Sequence, residues 1–392
     1  MAALEQLPRI EHLTLTFHHG WPKLKEILSS EAAPLLHTFQ VSSDGIPALL
    51  PENLFSGRGG APRLRRLSLK GNVHWTSKFL RSLTHIAVDR PSTGCRLSVN
   101  ELITNLAHMP QLENIHLSSV MVPPRHSELN AFSSPSTLLP FMARIHLGEE
   151  VMSCLAFFTT VTYPNTAIVS ISCPRSAYHT DNDTFVRDLI TVINAKNIVP
   201  ITSLSVENLY PATFQGQDSQ GIRRVSIEFH HFDFQPSGIS WDSLALHHLK
   251  SFKVVGIGIL RSVWLSVFGK LEKLETIVIR HYTNELIDGL CPVISRDPAA
   301  VDATVTSTPG KLKFSALKSL SLNGMYERWE VETLALCFRE RQRRGFSLRR
   351  LWIEGYGDGG DVVCQLRPLI SHVKWTQVHE ADKPDAGSDD TY

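Results

Sequence analysis

The run Gly355-Tyr-Gly357-Asp-Gly-Gly360 is the glycine pattern in this chain that comes nearest to a known chemistry. It satisfies G-x-G-x-x-G, follows an apolar stretch at 348–354 and precedes another at 362–370. Between a strand and a helix, such glycines let the backbone approach a pyrophosphate, which the helix N-terminus then holds. Glu380 stands about the distance at which an acid would bind the ribose. Asp358 and Asp361, however, put negative charge where the phosphates would lie. The preferred reading is a glycine-rich turn with Asp361 as the helix N-cap. A nucleotide-dependent enzyme using Gly355–Gly360 stands as the remote alternative, and no cofactor is expected.

The other reactive side chains give less. There are 18 histidines and no H-E-x-x-H or other fixed-spacing ligand set. The six cysteines (Cys95, Cys154, Cys173, Cys291, Cys337 and Cys364) form no C-x-x-C pair. Such cysteines read as reduced, mostly buried small apolar residues of a cytoplasmic or nuclear protein, with neither a zinc site nor a disulfide framework. Arg339-Glu-Arg-Gln-Arg-Arg344, followed by Arg349 and Arg350, is the densest positive patch. It could bind phosphate or serve nuclear import, but it reads more simply as a solvated helix end whose charge suits the macrodipole. G-x-S-x-G is absent, and no Ser/His/Asp or Cys/His set has supporting context. The residues therefore point away from an enzyme.

Charge and hydropathy narrow the partners. The 392 residues carry 39 Lys+Arg against 38 Asp+Glu, a net charge of +1. A dedicated nucleic-acid binder needs a basic surplus to meet phosphates, and a polybasic membrane-surface protein needs one for anionic lipid. Neither partner is expected. The most apolar region, 155–173, is broken by Thr159, Thr160, Thr162 and Pro164 and is too polar to span a bilayer. The opening residues hold no apolar stretch of signal-peptide length. With 42% hydrophobic residues there is ample material for a core.

A repeat must position whatever chemistry there is. The pattern L-x-x-L-x-L, with Leu, Ile, Val or Phe at the apolar places, recurs along the chain. It reads Ile10-Glu-His-Leu-Thr-Leu15, Leu64-Arg-Arg-Leu-Ser-Leu69, Leu112-Glu-Asn-Ile-His-Leu117, Leu274-Glu-Thr-Ile-Val-Ile279 and Leu348-Arg-Arg-Leu-Trp-Ile353, among others. About fourteen copies end at positions 15, 41, 69, 88, 117, 147, 171, 206, 227, 254, 279, 322, 353 and 378, the last degenerate. Most spacings fall in or near the roughly 20–29 residues of leucine-rich repeats.

The x-L-x-L core alternates with period two, so each unit offers a short strand with one apolar face. The chain must then return, through a helix or turn, to start the next parallel strand. Ser98 can cap a helix over 99–109, Asn182 or Asp183 one over 184–195, and 330–343 reads as a third, stopped by Gly345. The expected fold is α/β, a leucine-rich-repeat solenoid or horseshoe over residues 1–378. Its parallel strands would line the concave face, and irregular helices and turns the convex one. Residues 292–313 read as an exposed insertion loop and 379–392 as a disordered tail.

The polar side of the strands is then the candidate surface. Its residues are Arg66, Ser68, Lys70, His116, Arg144, His146, Arg224, Lys253, Arg280, Arg350, Trp352 and Glu354. His116 and His146 occupy the same place in consecutive units, so they are expected to be neighbours about 4.8 Å apart between strands. Metal binding or pH sensing is the chemistry such a pair could carry; a solvated polar face is the plainer reading. Trp352 beside Arg350 matches the Trp and Arg preference of interface hot spots.

Three phrases carry a resemblance: Gly60-Ala-Pro-Arg-Leu-Arg-Arg-Leu-Ser-Leu69, Phe79-Leu-Arg-Ser-Leu-Thr-His-Ile86 and 98–113, Ser-Val-Asn-Glu-Leu-Ile-Thr-Asn-Leu-Ala-His-Met-Pro-Gln-Leu-Glu. They look like the leucine-rich-repeat region of fungal (basidiomycete) F-box proteins. The resemblance covers nearly the whole chain and is clearest over 1–150. It implies a substrate-recognition part of a cullin-RING ubiquitin ligase subunit, acting on an unknown protein substrate. In that family an F-box ahead of the repeats binds a Skp-type adaptor. Here the first repeat strand begins near Ile10 and no F-box is recognisable, so an adaptor is expected only if an F-box precedes this chain. Leu4, Leu7, Leu13 and Leu15 open the first unit without a polar cap, which led to the expectation of a truncated product. The alternative is a stand-alone leucine-rich scaffold unrelated to ubiquitination.

Overall fold

The structure is a computed structural model. It describes residues 4–17, 21–50, 53–55, 60–74, 78–91, 96–125, 137–174, 182–196, 199–208, 211–230, 241, 244–281, 284–290, 313–325, 328–355 and 359–377. The insertion 292–312, the tail 379–392 and the centre of the glycine run (356–358) lie outside them, as do Cys95, Cys291, His18, His19 and His231.

The strands, in chain order, are β1 His12–Phe17, β2 Thr38–Leu49, β3 Arg66–His74, β4 His85–Asp89, β5 Asn114–Ser118, β6 Thr137–Leu138, β7 Arg144–Gly148, β8 Val161–Thr162 and β9 Ile168–Cys173. They continue as β10 Ser203–Asn208, β11 Ala212–Gln217, β12 Arg223–Phe229, β13 Ser251–Val255, β14 Thr276–Arg280, β15 Ser319–Met325, β16 Arg350–Gly355 and β17 His372–Gln377. The chain divides into two compact units: Met1–Val199 with Arg223–Phe232, and Pro200–Ile222 with Asp233–Tyr392. Both are α/β, each built on a mostly parallel, open sheet with helices between strands.

In the first unit the sheet order is β1-β2-β3-β4-β5-β7-β9-β12, parallel throughout. The last apolar place of each repeat forms one continuous row: Leu15, Val41, Leu69, Val88, Leu117, Leu147, Ile171 and Ile227. All but the part-buried Leu15 are buried. A second row, from Leu13 and Phe39 to Val169 and Val225, is buried beside it. Each such side chain contributes about 1.5–3 kcal/mol by leaving water. Gly71 is required where β3 meets β2: its φ is +75°, and a Cβ there would lie 2.1 Å from the Ser43 carbonyl oxygen.

The returns carry helices where caps and stripes predict them. Val99–Ala107 starts with a capping box in which Ser98 and Glu101 satisfy each other's backbone N–H. Asn182–Lys196 matches the expected stripe. A further helix, Val151–Thr160, is buried on nearly every side. It packs against both of the others. It is apolar all round, so it shows no 3.6-residue stripe by which to recognise it. Lys196 closes its C-terminus, donating to the carbonyls of Phe158 and Val161.

In the second unit the order is β11-β10-β13-β14-β15-β16-β17. All neighbours are parallel except β10 and β11, an antiparallel pair. Two expectations are corrected here. Copies consecutive in sequence are not always neighbours: the copy ending at Ile171 pairs with the one ending at Ile227, and the copy ending at Val206 pairs with Val254. The cause is β11, which follows β10 by a short connection and folds back on it, so no return to a parallel neighbour occurs. Gly216 of β11 leaves room for Ile201, whose Cδ1 would lie 2.8 Å from a Cβ. The last copy is also shifted by three residues. Val373 pairs with Leu351 and Trp375 with Ile353, so the unit reads Ile370-Ser-His-Val-Lys-Trp375 and does not end at position 378.

The second unit's core is aromatic where leucine runs short. Phe252 stacks on Phe268 with centroids 4.3 Å apart, and Trp241 and Trp264 meet both rings at 5.0–5.8 Å. Helix Arg328–Arg343 corrects the reading of the arginine patch as a solvated end. Arg341 is 1% exposed and donates to the carbonyls of Lys313 and Phe314 at 3.0 and 2.7 Å. Arg343 and Arg344 are exposed and both pair with Glu340.

Candidate protein-binding face

Strand alternation sends residues two apart to one face, and parallel register then lines them up across strands. In the first unit this gives three polar rows. The central row is Thr14, Gln40, Ser68, Ala87, His116, His146, Ser170 and Ser226. On one side run Arg66, His85, Asn114 and Arg144; on the other run Lys70, Asp89, Ser118 and Gly148. Arg66, Lys70, His116 and Arg144 are exposed, and Ser68 and His146 are part-buried. Arg224, part-buried, reaches back to the Thr166 carbonyl at 2.8 Å.

The two histidines expected to be neighbours are stacked, with ring centroids 4.3 Å apart and planes 10° from parallel. His146 Nδ1 lies 3.2 Å from the Ser170 hydroxyl. Burial, then the adjacent His116, holds the His146 imidazole below its ordinary pKa range. Among the described residues no three His, Cys, Asp or Glu side chains gather to hold a metal ion.

His85 is fixed by its neighbours. The Asn114 amide nitrogen donates to His85 Nε2 at 2.9 Å, and His85 Nδ1 meets the Thr84 hydroxyl at 2.8 Å. With Nε2 accepting, the proton sits on Nδ1 and the ring is neutral. Burial, then the charge of Arg66, keeps its pKa low; Arg144 acts in the same direction and Glu113 against it.

In the second unit the central row is Ser205, Lys253, Val278, Ser321, Trp352 and Lys374. The shifted register of the last copy puts Lys374 in this row. Lys253 Nζ lies 2.6 Å from Glu207, which also accepts from Ser205 at 2.9 Å. Burial works against the charged Glu207, but these two bonds outweigh it and its carboxyl is held below the ordinary range. Glu354 accepts from Asn323, its register neighbour. Arg280 and Arg350 are exposed, and Trp352 is 38% exposed, high for an indole.

One glycine of the run packs against an aromatic side chain. Gly359 lies against Trp375: a Cβ there would sit 2.1 Å from the indole. Gly359 is also the N-cap of helix Gly360–Leu366, with Asp361 in the first turn, where the sequence reading had Asp361 as the cap. At least this glycine is thus explained by packing.

One buried group was missed. Glu149 is 2% exposed, and its carboxylate accepts from the backbone N–H of Val120 (2.5 Å) and Met121 (3.2 Å). Burial raises its pKa to about 7 against those two bonds. Close by, Cys154 is fully buried, its thiol pushed up by burial and then by Cys173. Cys173 and Cys337 are also buried and Cys364 is exposed, so the described cysteines are mostly buried, as expected. Among the described residues no helix is long and apolar enough to cross a membrane. No protein-family model, no curated protein and no solved structure matches this chain.

Proposed function

We propose that this chain is a non-enzymatic protein-interaction module of the leucine-rich-repeat kind. It would bind its partner on the polar face of its strands, as the substrate-recognition part of an F-box-like ubiquitin ligase subunit does. The observation that carries the reading is the register. The repeat strands present polar side chains in continuous rows, and an exposed Trp352 stands beside Arg350 in one of them. Rows of this kind give shape and hydrogen-bond complementarity along an extended surface, with aromatic and arginine anchors carrying most of the energy. A Skp-type adaptor enters this reading only through an F-box ahead of the repeats. A stand-alone scaffold uses the same surface without the adaptor.

Affinity capture with the full chain and with Trp352→Ala tests it. A partner held by the parent and lost by the variant, recovered together with a Skp-type adaptor and a cullin, supports the ligase reading. The same loss without adaptor or cullin supports the scaffold. Capture indifferent to Trp352→Ala and to Arg350→Ala removes both.

A further inference from the structure

The row Arg66–His85–Asn114–Arg144 in the first unit has an unusual distribution of charge. Its two inner members satisfy each other: Asn114 donates to His85, which is held neutral by that bond and by Thr84. Its two outer members are exposed arginines, and among the described residues neither side chain makes a hydrogen bond or ion pair. Both arginines share the row of the neutral pair, Arg66 next to His85 and Arg144 next to Asn114. Among the described residues no acidic side chain neutralises either arginine. An unpaired, planar, always-charged donor suits bidentate capture of a carboxylate.

The spacing says more. Three steps across the sheet at about 4.8 Å separate the two arginine Cα atoms by about 14 Å. An extended peptide covers the same distance in four residues at about 3.4 Å each. Residue i+2 would then fall near the middle, over the His85–Asn114 pair, on the same side as residues i and i+4. Asp89, in the row four residues further along the strands, is already met by Arg90 at 3.7 Å.

We propose that this row binds an extended acidic peptide segment that crosses the strands, with carboxylates at positions i and i+4 taken by Arg66 and Arg144 and a small polar residue at i+2 over His85 and Asn114. The proposal rests on the polar strand face being the binding surface, and it names the chemistry of the partner there.

Fluorescence anisotropy of the full chain with a labelled, end-capped Glu-Gly-Ser-Gly-Glu peptide tests it. Two further probes serve as comparisons: Glu-Glu-Gly-Ser-Gly, of the same composition, and Lys-Gly-Ser-Gly-Lys. The spaced acidic peptide is expected to bind best, with affinity falling as salt is raised. Arg66→Gln and Arg144→Gln should each weaken it roughly tenfold, the worth of one charge-assisted bond. Neither side chain is bonded among the described residues, so both variants should keep the parent's thermal melt. Arg63→Gln, which removes one positive charge from the turn ahead of β3, should leave affinity unchanged. Absence of binding, equal binding of the lysine peptide, or indifference to both arginine variants overturns the proposal. Equal binding of the two acidic peptides overturns the spacing. None of these results bears on Trp352 capture, which reads a row of the second unit, so failure here is distinguishable from failure of the wider reading.

Discussion

Glu149 holds a carboxyl among apolar neighbours with two backbone donors and almost no water. Burial raises its pKa from 4.5 to about 7. Below pH 4.5 the folded and unfolded states both carry the proton. Between 4.5 and about 7 the unfolded chain releases it while the folded chain keeps it, so stability falls as pH rises through this window. Above about 7 both states are ionised and the loss is complete, on the order of 3 kcal/mol at about 1.4 kcal/mol per pH unit. His85 and His146, whose pKa values are lowered, contribute slopes of opposite sign that Glu149→Gln leaves in place. The difference in urea stability between parent and Glu149→Gln should therefore move against the parent from pH 5 to pH 8. A difference that stays constant with pH would sink this account. The stacked His116–His146 pair was legible in the sequence, because the repeat register alone makes them neighbours. Glu149 was not: it falls outside the repeat's apolar places, and its only signal is an acid directly after Gly148 in a largely apolar stretch.

Elements were legible where their period was visible. Period-two alternation, with Leu, Ile, Val or Phe at fixed places, marked the strands of the copies, the last of them three residues out of register. Caps and stripes marked Val99–Ala107 and Asn182–Lys196. β11 escaped because its buried places are Ala212, Phe214 and Gly216, two of them too small to read as the apolar places of the repeat. Helix Val151–Thr160 escaped because it has no polar face. The arginine-rich end of Arg328–Arg343 shows why composition misjudges an element's end. Arg341 lies one turn from exposed arginines, yet it is the residue that ties its helix to the segment at 313–316. Arg341→Met keeps most of the volume but takes the guanidinium from the Lys313 carbonyl, at about 1–3 kcal/mol, and leaves the Phe314 carbonyl with the Leu317 N–H alone. Arg344→Met loses only an exposed ion pair, worth about 0–1 kcal/mol. Urea unfolding should show the first variant clearly destabilised and the second close to the parent. Equal effects would mean that Arg341 does not anchor that segment.

At the scale of the molecule, the chain visits its two units alternately. It builds Met1–Val199, moves to Pro200–Ile222, returns for Arg223–Phe232 and then completes the second unit. No change of composition marks these crossings, because the same repeat phrase serves on both sides of each. The consequence is that the first unit cannot be cut at 199 without losing β12. That strand buries Val225, Ile227 and Phe229, pairs with β9 along its length, and brings His230 to the Cys173 carbonyl. At about 1.5–3 kcal/mol for each of the three side chains, its loss costs at least about 5 kcal/mol before the ladder bonds are considered. Single domains hold only about 5–15 kcal/mol in all. The cut also leaves β9 with an open backbone edge beside Val169 and Ile171, a template for association between chains. A fragment of residues 1–199 should therefore aggregate or melt without cooperativity, whereas 1–232 should be soluble and unfold in one transition. If 1–199 melts cooperatively at the temperature of 1–232, then β12 is an accessory to the first unit's sheet, and the sheet's stability is complete at β9.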